Sequence, residues 1–137
     1  MTDPYRTPRL KPDRIDGVAH LFAAAGYSFG GLRRLRQETA FRHIVLALPG
    51  CFLALWLSGA PIVDYCIQIV LLLALIAAEA LNTAVECIVD HLSPDWSEFA
   101  RDAKDLGSLA TMCLLGANGV FLGSVVFCAV TSGGGSG

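Results

Sequence analysis

The chain has 137 residues, of which 54% are hydrophobic and only 16% charged, with a formal net charge of −2. That length suits one domain, and a mean hydropathy of +0.56 with so few charges sets the chain apart from soluble proteins, which carry roughly a quarter of their residues charged. The net charge itself says nothing about nucleic acid, and with no basic face or recognition motif no nucleic-acid partner is expected. Cys51, Cys66, Cys87, Cys113 and Cys128 stand singly in apolar stretches. With no CxxC pair and no His–Cys cluster, they read as small buried hydrophobes rather than a zinc site or a disulfide framework.

Residues 1–13 carry Pro4, Pro8 and Pro12 among mixed charges and are expected to form a disordered cytoplasmic arm. They lack the apolar run of a signal peptide. From Arg14 to about Arg36, the residues Ile15, Val18, Ala19, Phe22, Ala25 and Phe29 approximate one helical face, with Asp16, His20 and Arg33 off it. This amphipathic segment is too polar to span a bilayer and suits its surface, where arginines meet anionic headgroups. Gly26, Gly30 and Gly31 suggest a break or bend within it.

Three spans follow, predicted at about 43–60, 62–90 and 106–130. The first contains Pro49, which a membrane helix tolerates, and it ends in a turn at Gly59-Ala60-Pro61. The second is long enough to cross the hydrocarbon and project a polar turn beyond it. A polar connector at 91–105 has Ser93 and Pro94 as a predicted helix start. The third span is uncharged, with Asn118 as its amide, and a Gly/Ser tail closes the chain; this tail could be an artificial appendage. All ten Lys and Arg lie in 1–42 or in 91–105. The positive-inside rule therefore puts the N-terminus and the connector in the cytoplasm and the C-terminus outside.

The informative stretch is Glu79-Ala-Leu-Asn-Thr-Ala-Val-Glu-Cys-Ile-Val-Asp90. Glu79, Asn82, Glu86 and Asp90 fall at i, i+3, i+7 and i+11 and make one polar stripe on a helix. Carboxylates on a membrane helix are costly and face a cavity or bundle interior, so the stripe marks a functional site; the plainer reading is the polar, frayed end of a spanning helix. Glu38 and Ala103-Lys104-Asp105 reach the same level. Carboxylates with a lysine there could hold Mg²⁺ and a polyphosphate, since Mg²⁺ takes one or two carboxylates plus substrate phosphates. Glu79 lies roughly 10 Å deeper than Glu86 along the axis, where a carboxylate could take a proton from a lipid hydroxyl. The same stripe could also serve a cation channel or proton relay, although no acidic residue lies in the outer half of the spans except Asp64. A structural scaffold is the third possibility. No G-x-x-x-x-G-K-[ST] occurs, so the phosphate loop of P-loop ATPases is excluded.

The run Glu79-x-x-Asn82-Thr83-Ala84-Val85-Glu86-x-x-Val89-Asp90, followed by Ala103-Lys104-Asp105-Leu-Gly-Ser108, resembles the signature of the small prokaryotic integral-membrane diacylglycerol kinases. Ala24-Ala-Gly-Tyr27-Ser28 and Glu38-Thr-Ala-Phe41-Arg42 match as well, and the resemblance covers about residues 15–130. It implies an all-α membrane protein with three transmembrane helices and an N-terminal amphipathic surface helix. A single kinase domain at 14–131 would be followed by a flexible tail at 132–137. It further implies a homotrimer with shared active sites in the bacterial inner membrane, its active sites at the cytoplasmic face. The reaction would transfer the γ-phosphate of ATP to diacylglycerol, giving phosphatidic acid. Undecaprenol is the acceptor in another branch of the family.

Carried over by position, Glu79 is the expected base, and Glu38 and Glu86 the Mg²⁺ ligands on the ATP phosphates. Lys104 would neutralise phosphate charge, with His20, Tyr27, Asp95, Trp96, Ser97 and Asp105 around the nucleotide. Ala24, Ser28, Phe29, Asn82 and Ser108 would line the lipid side with Glu79. His20 stands where close relatives often have arginine, and Ser97 where some have histidine.

Overall fold

A computed structural model of the chain describes residues 18–133, with side chains from 25 to 132. The arm expected at 1–13, the end of the tail, and the side chains of His20 and Ala24 lie outside the described residues. Four helices make up the described chain: α1 (Val18–Leu35), α2 (Thr39–Leu57), α3 (Ile62–Leu92) and α4 (Glu98–Gly133), with no strand among them. As expected for an all-α membrane protein, α2, α3 and α4 are each long and apolar enough to cross a membrane.

The chain divides into two units, one ending at Leu32 and the other running from Arg33 to Gly137. In the first, α1 continues unbroken through Gly26, Gly30 and Gly31, so these glycines do not break the helix. A glycine costs a helix only about 1 kcal/mol relative to alanine, too little to stop one with good helix formers around it.

In the second unit, α2 starts at Thr39, earlier than the sequence reading, because the Arg42 N–H closes onto the Glu38 carbonyl (3.2 Å). It runs on through Pro49 to Leu57. Its end is a tight glycine cap: Ala60 N–H reaches the Leu55 carbonyl and Gly59 N–H the Trp56 carbonyl, each at 3.1 Å. That geometry needs a left-handed residue, which Gly59 supplies at φ 65° without a Cβ penalty. Pro61 then precedes the first turn of α3, and the rings of Phe52 and Tyr65 stack across the turn with centroids 6.3 Å apart.

The residues buried along α3 are Gln68, Leu72, Leu75, Glu79, Asn82, Thr83 and Val89. Their spacing of three, four and seven keeps them on one face, and α4 is the main partner packed against α3. That face mixes leucines with amides and a carboxylate. Lipid offers no hydrophobic drive for helices to associate, so packing there rests on close van der Waals fit and on polar bonds between helices.

The connector is shorter than expected, because the charged turn Arg101-Asp102-Ala103-Lys104-Asp105 already belongs to α4. The helix start expected at Ser93 is also displaced. Ser93 closes α3 instead, its N–H bonding the Val89 carbonyl at 2.8 Å. The cap of α4 is Ser97, whose Oγ accepts from Ala100 N–H at 3.2 Å and whose carbonyl accepts from Arg101 N–H at 3.1 Å. Ser97 is followed directly by Glu98, an acid favoured in a helical first turn.

Candidate active site

The polar stripe of α3 descends from exposed to buried. Asp90 is exposed, Glu86 half-buried, Asn82 8% accessible and Glu79 only 4%. A carboxylate hidden on a spanning helix is costly unless function requires it.

Asn82 ties the levels of the stripe together. Its Nδ2 donates to Glu86 Oε1 at 2.9 Å, while its Oδ1 is buried without a hydrogen-bond partner. Opposite stands Gly107 of α4, where an added Cβ would lie 2.3 Å from Asn82 Oδ1 and 3.3 Å from its Cγ. Only a glycine admits α4 this closely to Asn82. Deeper still, the Thr111 hydroxyl of α4 faces the Glu79 carboxylate, yet it is buried without a hydrogen bond of ordinary geometry.

At the exposed end, Lys104 of α4 forms an ion pair with Asp90 of α3. Beside them is a recess of about 260 Å³ whose walls include Asp90, Asp95, Trp96, Ser97, Arg101 and Lys104. The structure therefore brings together four residues expected around the nucleotide: Asp95, Trp96, Ser97 and Lys104. Asp105 is not part of that lining, and both it and Ser108 are exposed on α4. Tyr27, Ser28 and Phe29 lie on α1 in the separate unit ending at Leu32.

Glu38 sits just ahead of α2. It pairs with the Arg34 guanidinium, whose other nitrogen reaches Cys87 Sγ on α3 at 3.7 Å. Arg34 thereby draws Glu38 toward the turn of α3 that carries Glu86. The hydrogen bonds it donates to Glu38 and, after that, to Cys87 hold the Arg34 guanidinium above its already high ordinary pKa. The charges of Glu86 and Glu38 both lie within electrostatic reach of Glu79. No cluster of three or more His, Cys, Asp or Glu able to hold a metal occurs among the described residues. A Mg²⁺ ion shared with substrate phosphates needs only one or two carboxylates and no all-protein cage.

Residues 26–127 match the family model for prokaryotic diacylglycerol kinase. The chain belongs to the prokaryotic diacylglycerol kinase family. It is 49% identical over 114 residues to a diacylglycerol kinase of Sinorhizobium sp., covering 83% of both chains. It is 34% identical over 121 residues to the Haemophilus influenzae diacylglycerol kinase, covering 83% of this chain and 98% of that one. The Escherichia coli K12 diacylglycerol kinase is 36% identical over 98 residues, with 70% and 80% covered. Membership in a kinase family favours the kinase reading of the stripe over a channel.

The geometry also brings in residues that the sequence reading did not assign. Arg34 lies in the last turn of α1, four residues before Glu38, and the turn between α1 and α2 lets the two opposite charges meet. Gly107 adjoins Ser108 in the Ala103–Ser108 motif, but nothing in the sequence marks it as facing Asn82. Thr111 carried no signal at all; its role depends on the register of α4 against α3.

Proposed function

We infer that this member of the diacylglycerol kinase family transfers the γ-phosphate of ATP to the free hydroxyl of diacylglycerol, giving phosphatidic acid. The observation that carries the reading is the graded stripe: a buried Glu79 below an exposed, cation-bearing rim at Asp90, Lys104 and the connector recess. Phosphoryl transfer needs positioning and charge neutralisation more than covalent chemistry from the protein. Glu79 takes the proton of the lipid hydroxyl as its oxygen attacks the γ-phosphorus, and the bond from that phosphorus to the β–γ bridging oxygen breaks to release ADP. Lys104 exchanges Asp90 for a phosphate oxygen, and Trp96 with Asp95 and Ser97 borders the nucleotide. Asn82 holds Glu86 in place from the level between them.

Glu38 and Glu86 would hold Mg²⁺ against the phosphates, and Glu38 leaves Arg34 to do so. The ion supplies charge neutralisation on the transferring group. Replacing Glu86 by alanine is expected to raise the Mg²⁺ concentration for half-maximal rate by roughly tenfold or more, since even outer partners of a metal are worth about 10–100-fold in affinity. A magnesium titration at saturating ATP reads this directly; an unchanged midpoint would remove Glu86 from the metal site.

Tyr27 and His20 on the nucleotide side, Ala24, Ser28, Phe29 and Ser108 on the lipid side, and Asp105 near the phosphates complete the proposed set. A homotrimer with sites shared between subunits belongs to the same proposal, supported by the exposure of Asp90, Asp105 and Ser108 on the open flank of the site. The confinement of Lys and Arg to 1–42 and 91–105 supports a cytoplasmic N-terminus and a cytoplasmic site in the bacterial inner membrane, where MgATP is available.

The test is transfer of ³²P from γ-labelled ATP in mixed micelles containing diacylglycerol or undecaprenol. Labelled phosphatidic acid is the expected product. Label on undecaprenol alone would keep the chemistry and change the acceptor. No label on either, from folded protein supplied with MgATP, would sink the kinase reading.

A further inference from the structure

Well below the phosphate level, two amides meet between the spanning helices. Gln68 of α3 has no accessible surface (0%). Its Nε2 donates to Asn118 Oδ1 of α4 at 2.7 Å. Asn118 Nδ2 in turn donates to the carbonyls of Leu71, at 3.1 Å, and of Leu114, at 2.8 Å. One acceptor of the pair, Gln68 Oε1, is buried with no hydrogen bond.

Stability does not explain this arrangement. A hydrogen bond between membrane helices is worth little net, because polar groups also find partners when the helices are apart. A buried acceptor left open is a penalty, and replacing both partners of such a pair by apolar groups of similar shape can be neutral or stabilising. Polar groups retained in an apolar interface are best attested as devices that set register.

Along its apolar length α4 has little to set its register on α3 apart from the close pass of Gly107. From 106 to 130 it has no charged residue, and Asn118 is its single buried side chain over that stretch. Small and aliphatic neighbours such as Gly116, Ala117, Gly119 and Val120 would accept a slip by one turn, about 5.4 Å. The site would not. A slip would separate Lys104 from Asp90 and Thr111 from Glu79. It would also place Ala103, Lys104, Ala110 or Thr111, each with a Cβ, where only Gly107 clears Asn82.

We propose that the Gln68–Asn118 amide bridge is a register lock, which sets α4 along α3 so that Lys104, Gly107 and Thr111 come level with Asp90, Asn82 and Glu79. Both amides are then positioning residues for phosphoryl transfer. They act at a distance, since Gln68 lies roughly 16 Å along the helix from Glu79 at the helical rise. The functional half of this statement rests on Glu79 and Lys104 belonging to the active site; the structural half does not.

The test uses the full chain with Gln68→Leu and Asn118→Leu combined, which fills the same space with apolar side chains. The variant is expected to melt no lower than the parent while its kcat falls roughly tenfold or more, as misplacement by an ångström can cost about 10²-fold; KM for MgATP should hardly move. The exchange Gln68→Asn with Asn118→Gln, which keeps an amide on each helix, is expected to recover most of the lost kcat. Nitroxides at the exposed positions Val63 and Leu109 lie at different levels of the pair and report the register without reference to activity. Their separation should shift or broaden in the double-leucine variant. Unchanged separation overturns the lock, and so does a loss of activity that only tracks the folded fraction. A shifted separation with parental kcat overturns the positioning role, and a Glu79→Gln protein as active as the parent would remove the reading of the site instead.

Discussion

Replacing Glu79 by glutamine is expected to lower kcat by about 10²–10⁴-fold, the range of general-base contributions, with little change in KM for MgATP. The substitution keeps the shape, exchanges one acceptor oxygen for an amide donor, and removes the ability to accept a proton. Glu79 is 4% accessible and lies on the side of Asn82 away from Glu86, so the nucleotide rim at Lys104 and the connector should be left intact. Stability should hold or rise, because a buried charge is exchanged for a neutral amide. Steady-state kinetics with separate ATP and lipid titrations, beside a melting curve, distinguish this from a folding defect. A kcat within a few fold of the parent would show that the proton leaves the lipid hydroxyl by another route.

Gly107→Ala is expected to cost roughly 1–3 kcal/mol, typical of one extra carbon forced into a packed interface, and to lose most activity with it. The new Cβ would sit 2.3 Å from Asn82 Oδ1 and 3.6 Å from its Cα. Turning the Asn82 amide away relieves the first contact but breaks its bond to Glu86. Moving α4 outward instead loosens Lys104 from Asp90 and Thr111 from Glu79. The pairing with Asn82 can be isolated by a double-mutant cycle. In an Asn82→Ala background the obstructing atoms are gone, so Gly107→Ala should become nearly neutral for stability. Activity should stay low, because the Glu86 partner is missing. If the alanine costs the same in both backgrounds, the close approach of α3 and α4 at this point is not what Gly107 serves.

Much of the fold was legible because a bilayer leaves few options: apolar runs of sufficient length must be helices, since no water is present to satisfy a bare backbone. The three spans follow on that basis, and the turn at Gly59-Ala60-Pro61 shows in its residues. The errors lay where polarity misleads. Arg101 to Asp105 looked like a loop because it is charged, yet Ser97 caps it into α4. Gly26, Gly30 and Gly31 looked like a break, yet their helical cost is too small to impose one.

For the site, spacing alone placed Glu79, Asn82, Glu86 and Asp90 on one face, and α3 carries them so. Which of them would be buried was not in the spacing. It depends on α4 covering the lower part of the stripe and leaving Asp90 open. The partners across that interface were beyond reach, as they join residues remote in sequence: Lys104 with Asp90, Gly107 with Asn82, Gln68 with Asn118.

Composition and periodicity, then, determined by themselves that this chain is a three-span helical membrane protein with an acidic stripe, because helical period and bilayer thickness are local constraints. Motif order pointed to the kinase family, because residues that position phosphate keep their spacing along a helix. Only the tertiary structure decided the register of α4 on α3, since a nearly uniform apolar helix contains little to say where along its neighbour it rests. That choice falls to one pair of buried amides and one glycine, and with it the grouping of Glu79, Asn82 and Lys104 into a site.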